Sequence, residues 1–492
     1  MRLLASSRNR LPAGCAASLE WRVANLASPR LAASTYNSGP RLRFRSQRPS
    51  PLLNLLLSIP LELRLAGLFV IGLAVGALVN WGIYSLAYDA RAISPWWRRH
   101  SDAPPRRWHD FLPVAGWLGL RREASLHGPG FWIRPLLLEA FCGLGLAALY
   151  WWETTGHLVP AWASTTLAKM STVTHAQFLA HALLIALMLV ATFIDFDEQA
   201  IPDSITIPGT LLGLLFAVLF PASHLPVAEA GPPVLIHHLL LTSPFPWLPT
   251  LDGWRYLAVG SLILAIWSFS LIPATATLRG GMVRGLAYYI ASIRRHSVGP
   301  FRRRRIVVRT HDFYWLPYAL LAAAPIALTI VVWIPGGPRW ESLLTSLIGL
   351  AFGGGLVWGV RVVGRISLKK EAMGFGDVTL MCMIGAFLGW QSALMVFFLS
   401  PAAALFIAVG NYLITGRKDI AFGPYLCLAA LGVIVFWEQV WTVAAPNFLL
   451  GPMIPLLVGA CLMLMMGMLM FWRFFKEIVF PEPEEPSAEN GT

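Results

Sequence analysis

Charge is scarce in this chain. Only 13% of its 492 residues are Asp, Glu, Lys or Arg, about half the share of an average soluble domain. With 56% hydrophobic residues and a mean hydropathy of +0.62, the composition excludes an ordinary soluble globule and predicts a polytopic helical membrane protein. Cysteine is scarce too. Cys15, Cys142, Cys382, Cys427 and Cys461 form no CxxC pair, and four of them lie in or beside apolar runs. That spacing excludes a disulfide framework and a thiolate metal knuckle, and leaves small packing residues. The net charge of +13 would point to nucleic acid in a soluble chain. Here no aromatic platform is interleaved with the Arg302–Arg305 run, so the reading is no nucleic acid and contact with membrane lipid headgroups instead.

What is present is a series of apolar segments. They run at about 65–88, 135–151, 175–195, 204–221, 256–277, 313–335, 342–361, 377–389, 392–413, 422–441 and 449–472, which makes about 11 spans, the eighth short. Residues 1–64 read as a basic, disordered N-terminal tail, with 51–61 interfacial. The basic residues sort by loop. Loop 89–134 has eight Arg and loop 278–312 has nine, whereas 222–253 has no Lys or Arg and 153–174 has only Lys169. Alternation across eleven spans puts the basic loops on one side, the cytoplasm by the positive-inside rule. The Arg-rich tail alone falls on the other. The 21 Trp read as interfacial belts.

Two acids stand at the ends of apolar runs on that cytoplasmic side. Asp195 lies in Ile194-Asp195-Phe196-Asp197-Glu198-Gln199-Ala200-Ile201-Pro202-Asp203, and Asp377 in Gly374-Phe375-Gly376-Asp377. An acid at a membrane-helix end is costly to bury and usually functional. Gly374 and Gly376 let the backbone turn sharply and let a substrate backbone approach, and Asp377 opening a helix gains from the macrodipole. Two carboxylates held close cannot both ionise, so one can take a proton from an attacking water while the other donates to the developing oxyanion. The plain alternative is helix-end charges in interfacial water. Asp197, Glu198 and Asp203 are ordinarily solvated loop acids, with Asp203 a candidate N-cap of 204–221. Glu139 fits a buried polar contact as well as a functional role.

These stretches resemble the type IV prepilin peptidases, membrane aspartic peptidases with a GxGD motif. The resemblance rests on Asp195–Pro208, on Gly374–Leu380, and on Phe422-Gly423-Pro424-Tyr425-Leu426. It is also carried by Gly76–Asn80 with Ile83-Tyr84, Leu112–Leu118 and Arg134–Glu139. It covers about 65–221 and 339–443. It implies an all-α transmembrane fold with a GxGD aspartic peptidase-like core, catalytic Asp195 and Asp377, and supporting Asp197, Asp203, Gly374 and Gly376. The implied domains are 65–152 (first helices and cytoplasmic loop), 175–221 (first catalytic half), 222–338 (an inserted two-span segment), 339–443 (second catalytic half) and 444–492 (an extra span and acidic tail). The implied activity is cleavage of prepilin or pseudopilin leader peptides at the cytoplasmic face of the bacterial inner membrane. No cofactor is implied for proteolysis, and S-adenosylmethionine would serve if N-methylation of the new terminus is retained.

Three departures stand out. Loop 89–134 lacks the two CxxC pairs of many members, and His100, His109 and His127 make a poor zinc set, so no metal is expected. Thr379 replaces a usual Lys. About 117 residues are inserted at 222–338. An even number of added spans keeps both aspartates on one side. Two rival readings remain: a GxGD intramembrane peptidase with other substrates, and a non-catalytic transporter or scaffold.

Overall fold

The computed structural model describes residues 51–91, 93–96, 99–244, 251–271, 315–369, 373–415 and 422–479. The tail 1–50 and the whole nine-Arg loop 278–312 lie outside the described residues. Expectations on them end there. The tail reading of 1–64 is corrected at its end. Pro51–Ser58 is a helix (α1), and α2 begins at Leu61 and runs to Ser85.

The remaining helices are α3 (Ala115–Leu120), α4 (Ala124–His127), α5 (Ile133–Thr154), α6 (Ala161–Lys169), α7 (Ser171–Glu198), α8 (Asp203–Leu219), α9 (Trp254–Ser270), α10 (Trp315–Trp333), α11 (Pro338–Leu368), α12 (Phe375–Thr415), α13 (Gly423–Val435), α14 (Trp437–Phe448) and α15 (Met453–Val479). Among the described residues, six helices are long and apolar enough to cross a membrane, or seven if the bent pair α13–α14 is one span. The count of about 11 is therefore not confirmed. Two of its segments, 377–389 and 392–413, belong to one long element broken where Gly389 takes a non-helical φ of 82° and ψ of 170°. The segment 422–441 is not straight, since α13 and α14 meet at 95°. The segments at 204–221, 256–277 and 313–335 correspond to shorter apolar helices.

The helices pack through small residues, which lets backbones approach where side-chain burial alone adds little in lipid. On α2, Gly72 and Gly76 face Cys142 and Glu139 of α5. On α11, Gly349 and Gly353 face the Gly385 and Met381 carbonyls of α12. Any side chain at Gly385 would meet Gly349 backbone, which has no rotamer to move away. Overpacking of this kind costs about 1–3 kcal/mol, occasionally more. Gly385→Val should therefore abolish the monodisperse peak in size-exclusion chromatography. Gly355→Val should leave it, because nothing lies within 4 Å of that position. An intact Gly385→Val peak would contradict this packing.

The inserted segment differs most from expectation. Its start is not a bare loop. Pro226–Glu229 (β1) and Leu235–His238 (β2) form an antiparallel hairpin with Val227 opposite His237, an exception to the all-α reading. The segment that follows docks on the helix ends through indole N–H donors. Trp390 donates to the Leu241 carbonyl at 2.9 Å, Trp340 to Leu251 at 2.7 Å, and Trp437 to Pro226 at 2.7 Å. The Gln391 amide donates to Leu240 at 2.8 Å. Trp340 and Trp437 are fully buried, so these residues clamp the cap and are not belt residues. The cap meets α12 at the Gly389 break, twelve residues from Asp377 or about 18 Å along a helix. It covers the end of the bundle away from the aspartates.

His224 and His238 are buried in this cap. The His224 ring lies 3.2 Å from the Phe387 carbonyl through Nδ1, and its Nε2 lies 3.3 Å from the Ser342 carbonyl and 3.4 Å from the Ser346 hydroxyl. Burial pushes His224 down to about 4 and His238 down to about 3. An unfolded imidazole titrates near 6.5. Between those values the unfolded chain binds protons that the folded chain does not. The stabilisation is therefore complete above about pH 6.5 and is progressively lost as pH falls toward 4 and then 3. The melting temperature of the detergent-solubilised protein should fall between pH 7 and 5. A His224→Gln/His238→Phe variant should show a flatter profile. An equally steep profile in that variant would contradict the assignment.

Candidate active site

Asp195 sits one turn before the end of α7. The helix stops because Gln199 adopts the left-handed conformation (φ 52°, ψ 35°) and donates its N–H back to the Asp195 carbonyl at 2.9 Å. Pro202 then sets the entry to α8. Asp377 stands in the first turn of α12, where its Oδ2 accepts the Gly374 N–H at 3.1 Å. That bond holds the carboxyl group over the GxGD turn. Both carboxyl groups are buried, at 5% and 7% exposure, and they lie within electrostatic reach of each other. The Gly423 backbone N–H acts on the Asp195 carboxyl group as a hydrogen-bond donor.

The start of α13 closes the site. A methyl group at Gly423 would come within 2.5 Å of Asp195 Oδ2 and 2.7 Å of Ile201 Cδ1. A methyl group at Gly376 would come within 2.9 Å of Ile201 Cβ. Cys427, one turn into α13, is buried within electrostatic reach of both aspartates. On the far side of Asp377, Arg361 of α11 stacks over the Phe375 ring at 5.6 Å and its charge acts on Asp377.

The supporting acids divide. Asp197 and Glu198 are not solvated loop acids. Asp197 pairs with Arg134 at 2.7 Å and with Arg91 at 3.6 Å. The Glu198 carboxylate accepts the N–H groups of Tyr88 and Asp89 at 2.9 and 3.0 Å. Together they tie the end of α7 to the loop domain 89–132. Asp203 is not the N-cap of α8. Pro202 holds that position, and Asp203 is the exposed first helical residue.

The loop domain is built on carboxylates where thiolates were absent. Asp110, fully buried, accepts from the Arg122 guanidinium and from the Arg107 N–H. Burial alone would raise its carboxyl pKa, but these donors hold it below the usual carboxylate value. Glu123 accepts from Arg106 at 2.9 Å and lies 3.6 Å from His127. Among the described residues no three His, Cys, Asp or Glu side chains are grouped to hold a metal ion. The buried Glu139 of α5 links this domain to the helices. It accepts from Trp117 Nε1 at 2.8 Å, from Asn80 Nδ2 at 3.0 Å and from the Val114 N–H.

Sequence reasoning singled out both aspartates and both glycines of the GxGD turn. It quoted Ile201 and Gly423 only as parts of motifs. Their contacts join segments 222 positions apart, and no local pattern carries that.

Comparison with known proteins points to one family. A family model described as the type IV leader peptidase family matches residues 310–409. That stretch includes Asp377 and not Asp195. The chain is 32% identical over 111 residues to a prepilin leader peptidase/N-methyltransferase from Aeromonas hydrophila, covering 22% of this chain and 38% of the relative. It is 30% identical over 151 residues to one from Myxococcus xanthus, covering 30% and 39%. It is 30% identical over 136 residues to one from Pseudomonas putida, covering 27% and 46%. The chain thus spans about two fifths of the length of the curated relatives it matches. No solved structure matches it significantly. These similarities support the prepilin peptidase family and an integral membrane protein.

Proposed function

We propose that this protein is a membrane aspartic endopeptidase that removes leader peptides from type IV prepilin-like or pseudopilin-like proteins. The observation that carries the reading is the buried Asp195–Asp377 pair, the two carboxyl groups within electrostatic reach of each other. One carboxylate deprotonates the attacking water. The other, protonated, donates its proton to the carbonyl oxygen; on collapse of the gem-diol the first carboxyl group gives the water's proton to the leaving amine and the second takes its proton back from the diol. Loop 89–134, with eight Arg, favours a cytoplasmic site in a bacterial inner membrane by the positive-inside rule. Asp197 supports the site by fixing the end of α7, and Gly374 and Gly376 support it by shaping the turn. Asp203 has only its place in the motif to speak for it.

The relatives are named as N-methyltransferases as well. S-adenosylmethionine would be the methyl donor if that activity persists here, and proteolysis needs no cofactor. The inserted cap 222–252 acts away from the aspartates, so it belongs to docking or assembly and takes no part in the chemistry.

The test is product identification. Membranes containing the protein are mixed with a purified prepilin whose leader is basic, and the products are read by mass spectrometry. A single cut between the leader and the apolar helix is expected, with a further +14 Da only if methylation persists. No cleavage of any prepilin or pseudopilin tried would refute the substrate class.

A further inference from the structure

Ile201 lies six residues after Asp195, where the chain turns from α7 into α8. It is only 5% exposed. Its backbone and Cβ face Gly376, where an added methyl group would be 2.9 Å from Ile201 Cβ and 3.2 Å from both its N and its O. Its Cδ1 faces Gly423, where an added methyl group would be 2.7 Å away. Gly376 immediately precedes Asp377. Gly423 lies against Asp195 Oδ2. One residue thus touches the backbone that carries the second aspartate and the backbone that walls the first.

The two glycines allow that double contact, since a Cβ at either would displace Ile201. The bend at Gln199 and the fixed φ of Pro202 leave Ile201 little freedom to shift along the chain. Its β-branched side chain has restricted χ1 freedom, so it transmits position well. The two contacts use different atoms. The Gly376 contact uses the backbone and Cβ and would survive truncation to Ala. The Gly423 contact uses Cδ1 and would be lost on truncation to Val or Ala.

We propose that Ile201 is a positioning residue that sets the separation of the Asp195 and Asp377 carboxyl groups by wedging between Gly376 and Gly423. The proposal rests on the peptidase reading of the aspartate pair. Removing the Cδ1 contact lets the start of α13 settle toward the vacated space and changes how Asp195 is walled. A misplacement near 1 Å in a reacting group costs roughly 10²-fold in rate.

Ile201→Val and Ile201→Ala are compared with wild type, Asp195→Asn and Asp377→Asn for prepilin leader cleavage. Ile201→Ala should lower kcat by about 10–100-fold with KM within about threefold. Ile201→Val should fall between Ile201→Ala and wild type. In both, the two limbs of the pH–kcat profile should change their separation, because interaction between the carboxyl groups sets that spacing. A merely structural role would lower the active fraction and leave the profile unmoved. If Ile201→Ala does not fold, Ile201→Val decides alone, with melting temperature as its folding control. Wild-type kcat and an unmoved profile in the folded Ile201 variants, alongside inactive Asp→Asn variants, would overturn the proposal. Active Asp→Asn variants would instead overturn the peptidase reading beneath it.

Discussion

Asp195→Asn and Asp377→Asn are each expected to abolish leader cleavage, by at least about 10³-fold, while the protein still inserts and purifies as wild type. General acid–base catalysis contributes about 10²–10⁴-fold for one group, and the two groups here hold opposite roles in one proton circuit. An amide matches the carboxylate in shape but cannot take the proton from water, and it cannot deliver one to the leaving amine. At Asp377 the neighbours tolerate the amide, because Gly374 donates to Asp377 Oδ2 and an amide oxygen can still accept. The loss should therefore appear in kcat with an unchanged melting temperature. Asp197→Asn should be milder. It weakens the ion pairs to Arg134 and Arg91, which are partly solvent-exposed and contribute about 1 kcal/mol or less. Robust cleavage by either Asp195→Asn or Asp377→Asn would remove that residue from the mechanism.

Glu139→Ala is expected to produce the largest loss of stability. Its carboxylate is 2% exposed and receives Trp117, Asn80 and the Val114 N–H. Truncation leaves the Trp117 and Val114 N–H groups without their acceptor and Asn80 with the Pro135 carbonyl alone, and a buried donor left unpaired costs about 1–3 kcal/mol. Val114 adds to the effect. Its φ of 61° and ψ of −59° are unfavourable for a β-branched residue, and such a conformation persists only where the surroundings hold it. The total should fall near 3–5 kcal/mol, as for breaking other buried charged networks. The measurable result is a lower melting temperature in detergent and rapid proteolysis within 89–132. Glu139→Gln keeps an acceptor and should be milder. A Glu139→Ala protein that melts with wild type would contradict the linchpin role.

Much of the site was legible before any coordinates because its chemistry is local. Asp195 and Asp377 are the wrong residues for a membrane-helix end, and glycines flank the second. The apolar runs already separated 377–389 from 392–413, and the break between them falls at Gly389. The rest depended on contacts distant in sequence. Asp197 and Glu198 read as loop acids because their partners, Arg91, Arg134 and the Tyr88–Asp89 backbone, lie 63 to 110 positions away. The hairpin 226–238 was missed because each strand has four residues and its apolar alternation is too short to register. The tryptophans read as belt residues because an indole N–H bonded to a cap carbonyl has no sequence signature. The count of about 11 spans is not confirmed, because apolarity marks burial in protein and burial in lipid alike. Helices such as Asp203–Leu219 satisfy the hydropathy without the length.

The most direct test compares leader cleavage by wild type, by the two single Asp→Asn variants and by the double variant Asp195→Asn/Asp377→Asn, all at equal folded protein in the same lipid. Groups that act as one unit are strongly non-additive. The carboxylate-pair account predicts that each single variant already sits at background and that the double variant is no slower. Two independent losses that multiply in the double variant, or one single variant that keeps a large part of the rate, would contradict it.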